Sequence, residues 1–350
     1  MPNLHPLRVA TSHTHVLSQM FGLLLPFSGV YGLNQLICSV ATGGTLVIES
    51  SPLPQEIVRA IREQQISMLV AVPPLWGSLL RVADFTRAPI TSLRILQNAG
   101  GHLPVPLMQR LRGLQPYARL FLQYGMTEMF RSTFLAPEEV DARPDSMGKA
   151  IPGAEVMVLR EYGRGCGVDE VGELVHGGPT VALGYWADPE GTDRVFRSNP
   201  LGQPGRPGSE RVVFSGDMVR RDAEGYLHFV SRRDRLIKTL GYRVGPDEVP
   251  DVLYASGEMA EGAVTTEPDD LRGERIIAHV VLAPDGSVDR LRAYAPAELP
   301  PYLQPVRYEA RLRMPRLASG KHDIEALCAG STGAQVPAGG APPGPSRATP

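Results

Sequence analysis

The chain has 350 residues, of which 43% are hydrophobic and 21% charged, as is ordinary for a globular protein of about two domains. A formal net charge of -2 excludes a whole-chain field that would attract nucleic acid or an anionic membrane, so small-molecule partners are favoured. Cys38, Cys166 and Cys328 are far apart and lack CxxC or His-rich spacing, which indicates a reducing compartment, the cytoplasm, and no zinc site.

The amino-terminal residues predict neither export nor a membrane span. Residues 1–19 lack the charged start and the continuous apolar stretch of a signal peptide. The apolar stretch over 21–48 is interrupted by proline, glycine and polar residues, so it cannot supply the roughly 20 apolar residues that a membrane span needs. Buried strand and helix are the better interpretation.

Short apolar runs alternate with helical patterns over residues 33–123, which predicts an α/β fold with a largely parallel sheet covered on both faces. Ligands bind such sheets beyond the carboxyl ends of the strands. Residues 98–101 and 124–128 follow two strand candidates, where a binding loop belongs. The predicted strands are 45–48, 67–72, 93–96 and 120–123, and the predicted helices are 54–64, 75–82 and 104–114.

The pattern changes after Gly148 to shorter strands separated by Gly/Asp turns, which predicts a small β-rich subdomain with strands at 155–159, 172–175, 211–214 and 226–230. Six glycines and prolines within 200–210 indicate a mobile surface loop. A second unit is predicted to begin near Asp234, with strands at 262–265, 275–282 and 306–312. Residues 331–350 are mostly Gly, Ala, Pro, Ser and Thr and are expected to be disordered.

Four short segments carry the polar groups needed to hold a nucleotide and activate a carboxylate: Tyr124–Glu128 (YGMTE), Ser215–Asp217 (SGD), Arg232–Asp234 (RRD) and Ser319–Lys321 (SGK). Alone, YGMTE is more often a loop with a core tyrosine and a solvated glutamate. Together and in this order, the segments resemble the adenylate-forming enzymes, the superfamily of acyl-CoA synthetases, carrier-protein adenylation domains and luciferases. The resemblance covers residues 25–328.

For the nucleotide, the resemblance implies that Tyr124 stacks on adenine and that Arg232 contacts the bound nucleotide. Asp217 would accept hydrogen bonds from both ribose hydroxyls, a task suited to a carboxylate. Gly100 and Gly101 would let the backbone approach adenine and substrate, because they lack a Cβ. A plain turn is the alternative for the glycine pair.

For the chemistry, the attack of a carboxylate on the α-phosphate of ATP brings two anions together, so the site must supply cations and donors. The resemblance implies that Thr127 contacts phosphate and that Glu128 is the ligand of Mg²⁺, since magnesium prefers oxygen ligands. Lys321 would bridge the carboxylate and the α-phosphate as a compact ammonium. An exposed lysine in a turn is the alternative, but its place after the hinge supports the catalytic role.

The resemblance further implies an incomplete large domain with mostly parallel sheets and a β-rich subdomain, followed by a small mobile α+β carboxyl-terminal domain. The large domain would span residues 1–233, with the subdomain at about 150–233. The lid domain would span 234–330, and the tail 331–350. Within the lid, Asp234 is implied as the hinge residue. Gly241 and Arg243 are implied to face the thiol substrate in the second half-reaction.

Two departures from the family pattern affect function. Residues 25–33 resemble the segment that lines the acyl pocket, but Gly29 takes the place commonly held by a histidine gate. The family's Ser/Thr/Gly-rich phosphate loop and roughly its first third are not in the sequence, and residues 11–13 resemble a remnant of the stretch after that loop. We therefore expect the 350-residue chain to lack carboxylate-dependent pyrophosphate exchange.

The expected function is an AMP-forming acyl-CoA ligase that uses ATP, Mg²⁺ and CoA on a carboxylic acid. Residues 124–137 look most like ligases associated with exosortase and exopolysaccharide gene clusters. One alternative is an adenylating enzyme that loads an acyl carrier protein thiol, and another is an inactive, truncated remnant. Neither nucleic acid nor a membrane span is expected.

Overall fold

The computed structural model describes residues 19–51, 53–202, 211–317 and 319–330. The chain divides into two units, of which the first runs to Leu236 and also includes Arg316–Lys321. The second comprises Ile237–Pro315 and the chain from His322. Three predicted segments lie largely or wholly outside the described residues: residues 11–13, the loop at 200–210 and the tail at 331–350.

A seven-stranded sheet carries the predicted binding loops of the first unit, with strand order β2-β1-β3-β4-β5-β6-β7. Its strands are β1 (Met20–Leu23), β2 (Thr45–Ile48), β3 (Met68–Ala71), β4 (Ile95–Asn98), β5 (Arg119–Tyr124), β6 (Thr133–Leu135) and β7 (Lys149–Ala150). The first five pair in parallel, whereas β6 and β7 are antiparallel. All four residues of β3 are buried, as expected for a parallel strand covered on both faces. The prediction of a largely parallel α/β sheet is confirmed.

Helices cover this sheet through amphipathic faces. They are α1 (Val30–Thr42), α2 (Pro54–Glu63), α3 (Pro73–Leu79), α4 (Ala83–Thr86) and α5 (Val105–Leu114). Helix α2 buries Ile57, Val58 and Ile61, which share one face at helical spacing. Helix α3 begins two residues before the predicted start, because its two prolines suit a first helical turn. The stretch over 21–48 forms strand, helix and strand, and within the described ranges no helix is long and apolar enough to cross a membrane.

The β-rich part of the first unit is a five-stranded sheet with order β10-β11-β9-β8 and β12 beside β11. Its elements are β8 (Glu155–Leu159), β9 (Gly172–Gly177), α6 (Pro189–Val195), β10 (Phe196–Ser198), β11 (Arg211–Arg221) and β12 (Leu227–Arg232). Strand β11 is much longer than the predicted 211–214. The pairing with β9 shifts register between Phe214 and Met218, so the strand continues through Gly216 as a bulge.

The second unit is built on another five-stranded sheet, with order β14-β13-β16-β15 and β17 parallel to β16. Its elements are β13 (Ile237–Thr239), β14 (Tyr242–Val244), α7 (Glu248–Ala255), β15 (Met259–Asp269), β16 (Gly273–Leu282), α8 (Val288–Glu298), β17 (Arg307–Ala310) and α9 (Ile324–Gly330). Its core contains Val249, Leu253, Ile276 and Leu291. The strands predicted at 262–265, 275–282 and 306–312 fall on β15, β16 and β17.

Of the histidines that the structure describes, one in each unit is fully buried. In the first unit, His176 lies 2.9 Å from the hydroxyl oxygens of both Ser132 and Thr180. In the second unit, His279 Nδ1 accepts a hydrogen bond of 3.1 Å from Arg311 Nε. Burial lowers the pKa of each histidine to about 4. Both rings are therefore neutral at neutral pH.

The free energy of unfolding is expected to fall as the pH drops from 6.5 to 5. An unfolded histidine has a pKa of about 6.5 and folded His176 one of about 4, so the unfolded state binds more protons in this window, a difference of about 1.5 kcal/mol. His176→Gln should reduce the fall by about that amount. Urea unfolding of the parent protein and the variant at pH 6.5 and pH 5 measures this change in the free energy of unfolding.

His228→Gln is the control with the opposite sign. The hydrogen bond to Asp145 raises the pKa of His228, so its removal should make the fall in stability steeper. An unchanged pH dependence in the His176 variant would contradict the assignment of a buried, neutral ring.

Candidate functional site

The loop after β5 is held in one tight conformation. A Cβ on Gly125 would lie 2.2 Å from the Phe130 carbonyl oxygen, so only glycine fits there. Phe130 itself has a left-handed φ of 58°. The Ala182 amide donates a 2.8 Å hydrogen bond to the Glu128 carbonyl oxygen. The predicted loop at 124–128 is thus fixed at the carboxyl end of β5.

The bulge in β11 places the predicted carboxylate Asp217. The Ser215 hydroxyl donates to the Leu174 carbonyl oxygen at 2.6 Å and accepts from the Asp217 amide at 3.0 Å. Gly216 has a φ of +73°, and its amide donates to Glu173 Oε1 at 2.9 Å. These hydrogen bonds leave the Asp217 backbone little freedom, as a binding residue requires.

Asp217 is 6% exposed and has one oxygen engaged and one available. The Tyr124 hydroxyl donates to Oδ2 at 2.5 Å. Oδ1 lies 3.3 Å from Arg232 Nη1, an ion-pair distance, but accepts no hydrogen bond from any described residue. Burial raises the pKa of Asp217, which Tyr124 and Arg232 oppose. A buried acceptor without a donor can take a ligand hydroxyl.

Lys321 lies beside the loop that follows β4. A Cβ on Gly100, where φ is +75°, would lie 3.2 Å from Lys321 Cε and 3.9 Å from Nζ. Lys321 exposes much of its side chain, yet partial desolvation lowers the pKa of its amino group, and the charge of Asp217 opposes that shift. Five predicted site residues therefore lie together in the first unit: Gly100, Tyr124, Asp217, Arg232 and Lys321.

Arg316 anchors the segment that carries Lys321. Its Nη2 donates to the Pro74 carbonyl oxygen and to Ser78 Oγ, and its Nη1 donates to the Gly320 carbonyl oxygen, each at 3.1 Å. Arg316 was not predicted as a site residue. Its contacts join positions more than 200 residues apart in sequence, which no local pattern reports.

A cavity of about 530 Å³ adjoins this segment within the first unit. Its lining is largely apolar and includes Leu25, Phe27, Leu75 and Val72. A Cβ on Gly100 would lie 3.3 Å from the Val72 side chain, so the cavity lies close to Lys321 and the Gly100 loop.

The predicted phosphate and metal residues lie at the edge of the cluster. Thr127 is exposed, and Glu128 is half-buried. Glu128 Oε1 accepts a 2.6 Å hydrogen bond from the Tyr185 hydroxyl. Burial, together with Glu128, raises the pKa of Tyr185 to about 12, so this tyrosine remains a donor. Local sequence gives no sign of a role for Tyr185, because its contact with Glu128 spans 57 residues of the chain.

The other predicted residues have different surroundings. A Cβ on Gly101 would lie 3.3 Å from Pro73. Asp234 is exposed and accepts from Arg232 Nε at 3.3 Å, two residues before the first unit ends. Gly241, at φ +81°, and Arg243 belong to the β13–β14 hairpin of the second unit.

Tyr124→Phe is expected to lower the free energy of unfolding by about 1–3 kcal/mol, because it leaves a buried carboxylate without its donor. Tyr31→Phe is the matched control, since the buried Tyr31 hydroxyl has no hydrogen-bond partner among the described residues. Its removal should be neutral or stabilising. Urea unfolding measures both, and equal losses would contradict the contact with Asp217.

Two family models match the chain. The model described as AMP-binding enzyme matches residues 7–186, and the model of the AMP-binding enzyme C-terminal domain matches residues 248–321. The two matches together include the Gly100 loop, the 124–128 loop and Lys321.

Curated relatives fall into two classes. A long-chain-fatty-acid–CoA ligase of Bacillus subtilis (strain 168) is 29% identical over 302 residues, which are 85% of this chain and 52% of the relative. A linear gramicidin synthase component of Brevibacillus parabrevis is 31% identical over 309 residues, which are 86% of this chain and 6% of the relative. The chain thus spans about half the length of the ligase and a small part of the synthase.

A solved structure shows the same fold. The o-succinylbenzoate CoA synthetase of Bacillus subtilis, in complex with an acyl-adenylate intermediate, is similar with a TM-score of 0.74 and 28% identity. The match covers 93% of this chain and 62% of that one. The same enzyme in complex with ATP and a magnesium ion has a TM-score of 0.72 at 28% identity, over 89% of this chain and 61% of that one.

Proposed function

Because the chain belongs to the family of AMP-binding enzymes, we propose that it is part of an acid–thiol ligase that activates a carboxylic acid with ATP. A carboxylate oxygen attacks the α-phosphorus, a new P–O bond forms, and pyrophosphate leaves. The thiol of CoA then attacks the acyl carbonyl, the C–S bond forms, and AMP leaves with the bridging oxygen. The observation that carries this proposal is the grouping of Lys321, Asp217 and Arg232 around one place in the first unit.

The nucleotide half of the site is assigned to the described polar groups. Asp217 Oδ1 is buried and has no donor among the described residues, so it is suited to accept from the ribose hydroxyls. Tyr124 holds the other oxygen of that carboxylate and offers its ring to adenine. Gly100 has no Cβ and so leaves the backbone accessible to the ligand, while Arg232 supplies a cation.

Lys321 is assigned to the first half-reaction. Its ammonium lies near Gly100, and the charge of Asp217 acts on its pKa. Since both residues are assigned to the nucleotide, we infer that the ammonium is close enough to contact the α-phosphate. A cation aimed at the negative charge that develops there stabilises the transition state more than the bound substrates. Thr127 is assigned a hydrogen bond to phosphate from its exposed position in the 124–128 loop.

Glu128 fits the role of magnesium ligand. It is a half-buried carboxylate with Oε1 bound to Tyr185, and oxygen is the donor that Mg²⁺ prefers. When bound, the ion would neutralise charge on the triphosphate. Tyr185 would keep the carboxylate oriented, because its raised pKa keeps the hydroxyl protonated.

The thiol step is assigned to Gly241 and Arg243 in the second unit, and Asp234 is proposed as the hinge residue between residues 1–233 and 234–330. CoA is the preferred acceptor, because the relatives include a fatty-acid–CoA ligase. A carrier-protein thiol is the second candidate, since a gramicidin synthase is similar to the chain at a comparable identity. We place the reaction in the cytoplasm, where ATP, CoA and reduced thiols are available.

Lys321→Ala is expected to slow acyl-adenylate formation by roughly a hundredfold, since loss of one aimed charge costs about 3 kcal/mol. It should spare thioester formation from a supplied acyl adenylate and CoA. Carboxylate-dependent pyrophosphate exchange, in a chain extended by the family's phosphate loop, measures the first step, and mass spectrometry of the thioester measures the second. AMP binding by the 350-residue chain, measured by equilibrium dialysis, tests the nucleotide site separately.

Lys149→Ala is the control, because Lys149 lies over the Tyr226 ring, outside the cluster. Equal losses in both half-reactions for Lys321→Ala would contradict its assignment. Failure of the unsubstituted chain to bind AMP would contradict the proposed function itself.

Glu128→Gln is expected to reduce the gain in ATP affinity that Mg²⁺ provides, because it removes the anionic oxygen and keeps the side-chain shape. The affinity for ATP is measured with and without the metal. Glu138→Gln removes a surface carboxylate, paired with Arg119, from the segment after β6 and should leave that gain unchanged. The same gain in both variants would count against Glu128 as the ligand.

A further inference from the structure

Arg131 is a buried cation that has no acidic partner in the described part of the chain. It follows Glu128 by three residues, and it is 9% exposed. Neither Nε nor Nη2 has a hydrogen-bond partner, and no ion pair includes it, among the residues that the structure describes. Burying a charge in this way is costly unless something pairs with it. No sequence motif assigns Arg131 a role.

Aromatic rings and polar side chains of α1 surround Arg131. The guanidinium lies over the Tyr31 ring at 5.9 Å and over the Phe130 ring at 5.4 Å. The charge of Arg131 also acts on Tyr31 and Cys38, whose pKa values burial raises. Gln35 lies between these two residues on α1, at the spacing that places all three on one helix face.

The unpaired atoms on this face include several hydrogen-bond donors. Gln35 is 1% exposed, and neither its Nε2 nor its Oε1 has a partner in the described part of the chain. The Tyr31 hydroxyl is buried and equally without a partner there. Together with Arg131, these groups could donate several hydrogen bonds to one anion, and charge-assisted bonds of this kind are the stronger ones.

This polar group borders the proposed adenylate site. Tyr31 packs in one buried cluster with Ala99, the residue before Gly100. Arg131 follows the loop that carries Glu128, and its Cα lies next to Gly125, where a Cβ would be 2.8 Å away. A substrate whose carboxylate meets Lys321 could therefore extend toward Arg131.

We propose that Arg131, with Gln35 and Tyr31, binds a second acidic group of the carboxylic acid substrate. The inference rests on the proposed function and narrows its substrate class to dicarboxylic acids and acids with a comparable anionic end group. A monocarboxylic acid of equal length would leave the buried guanidinium unpaired, which costs binding free energy. An acid with a second anionic group would pair with the guanidinium and so not incur this cost.

Stability without ligand gives the first test. If the partner of Arg131 is a ligand, Arg131→Met should raise the midpoint of urea unfolding or leave it unchanged, because it removes an unpaired buried charge. Arg119→Met is the matched control: Arg119 lies 5.5 Å from the Phe121 ring but pairs with Glu138 at the surface. A midpoint for Arg131→Met clearly below that of both the control and the parent would make Arg131 structural and overturn the proposal.

Binding selectivity gives the second test. Two stable acyl-adenylate analogues, the sulfamoyl adenosines of succinate and of butyrate, differ only in the end group. The 350-residue chain should bind the succinyl analogue at least about tenfold more tightly, as expected for a charge-assisted pair. In Arg131→Met this ratio should fall to about one, and Arg131→Lys should retain part of it. Isothermal titration calorimetry measures the affinities, with AMP as the reference ligand.

The outcomes separate the two proposals. Equal affinities for the two analogues, together with measurable AMP binding, would overturn the second acidic group and leave the ligase proposal standing. Absence of binding for AMP and both analogues would overturn the ligase proposal and the inference with it. A preference for the succinyl analogue that survives in Arg131→Met would overturn Arg131 as its cause.

Discussion

The hydrogen bond from the Tyr124 hydroxyl to Asp217 Oδ2 joins two separately built parts of the first unit. Tyr124 ends a strand of the parallel sheet, and Asp217 lies in the bulge of the β-rich sheet. Burial raises the pKa of both groups, most strongly that of Tyr124, so the shared proton stays on the phenol. This hydrogen bond fixes the position of the carboxylate and leaves its other oxygen, Oδ1, available to a ligand. Arg232 lies 3.3 Å from that oxygen.

The charges around Asp217 are unbalanced. The carboxylates of Asp217 and Asp234 both lie at ion-pair distance from Arg232. Burial lowers the pKa of Lys321, Asp217 opposes this shift, and repulsion from Arg232 and Arg235 adds to it, so three cations outnumber the two carboxylates. An excess of fixed positive charge is unfavourable for the unliganded protein and favourable for binding a polyanion. Such a site needs little rearrangement when negative charge arrives, which is the condition for electrostatic catalysis. The packing of the surrounding sheets holds these charges in place. The site lies beyond the carboxyl ends of parallel strands, where ligands commonly bind.

The sequence predicted several strands and helices closely because their signals are local, although it gave no helix bounds for the second unit. Strands β2 and β8 have the predicted bounds, and α2 differs by one residue at its end. The extension of β11 was missed because Gly216 normally indicates the end of a strand, whereas Glu173 on a neighbouring strand holds the bulge. Five residues of the family motifs lie together in the first unit, and their roles stay predictions. The state of Arg131 could not be predicted, because whether a charge is paired depends on residues distant in sequence.

The tight turn at Gly125 has an evolutionary consequence. Since a Cβ on Gly125 would meet the Phe130 carbonyl oxygen, the backbone of this loop has little room to shift when a side chain on either side of Phe130 is substituted. Under the two proposals, Glu128 on this loop serves the metal-dependent reaction, and Arg131 just beyond it selects the substrate. Descendants could acquire new substrates by exchanging a single side chain at position 131 while inheriting the reaction unchanged.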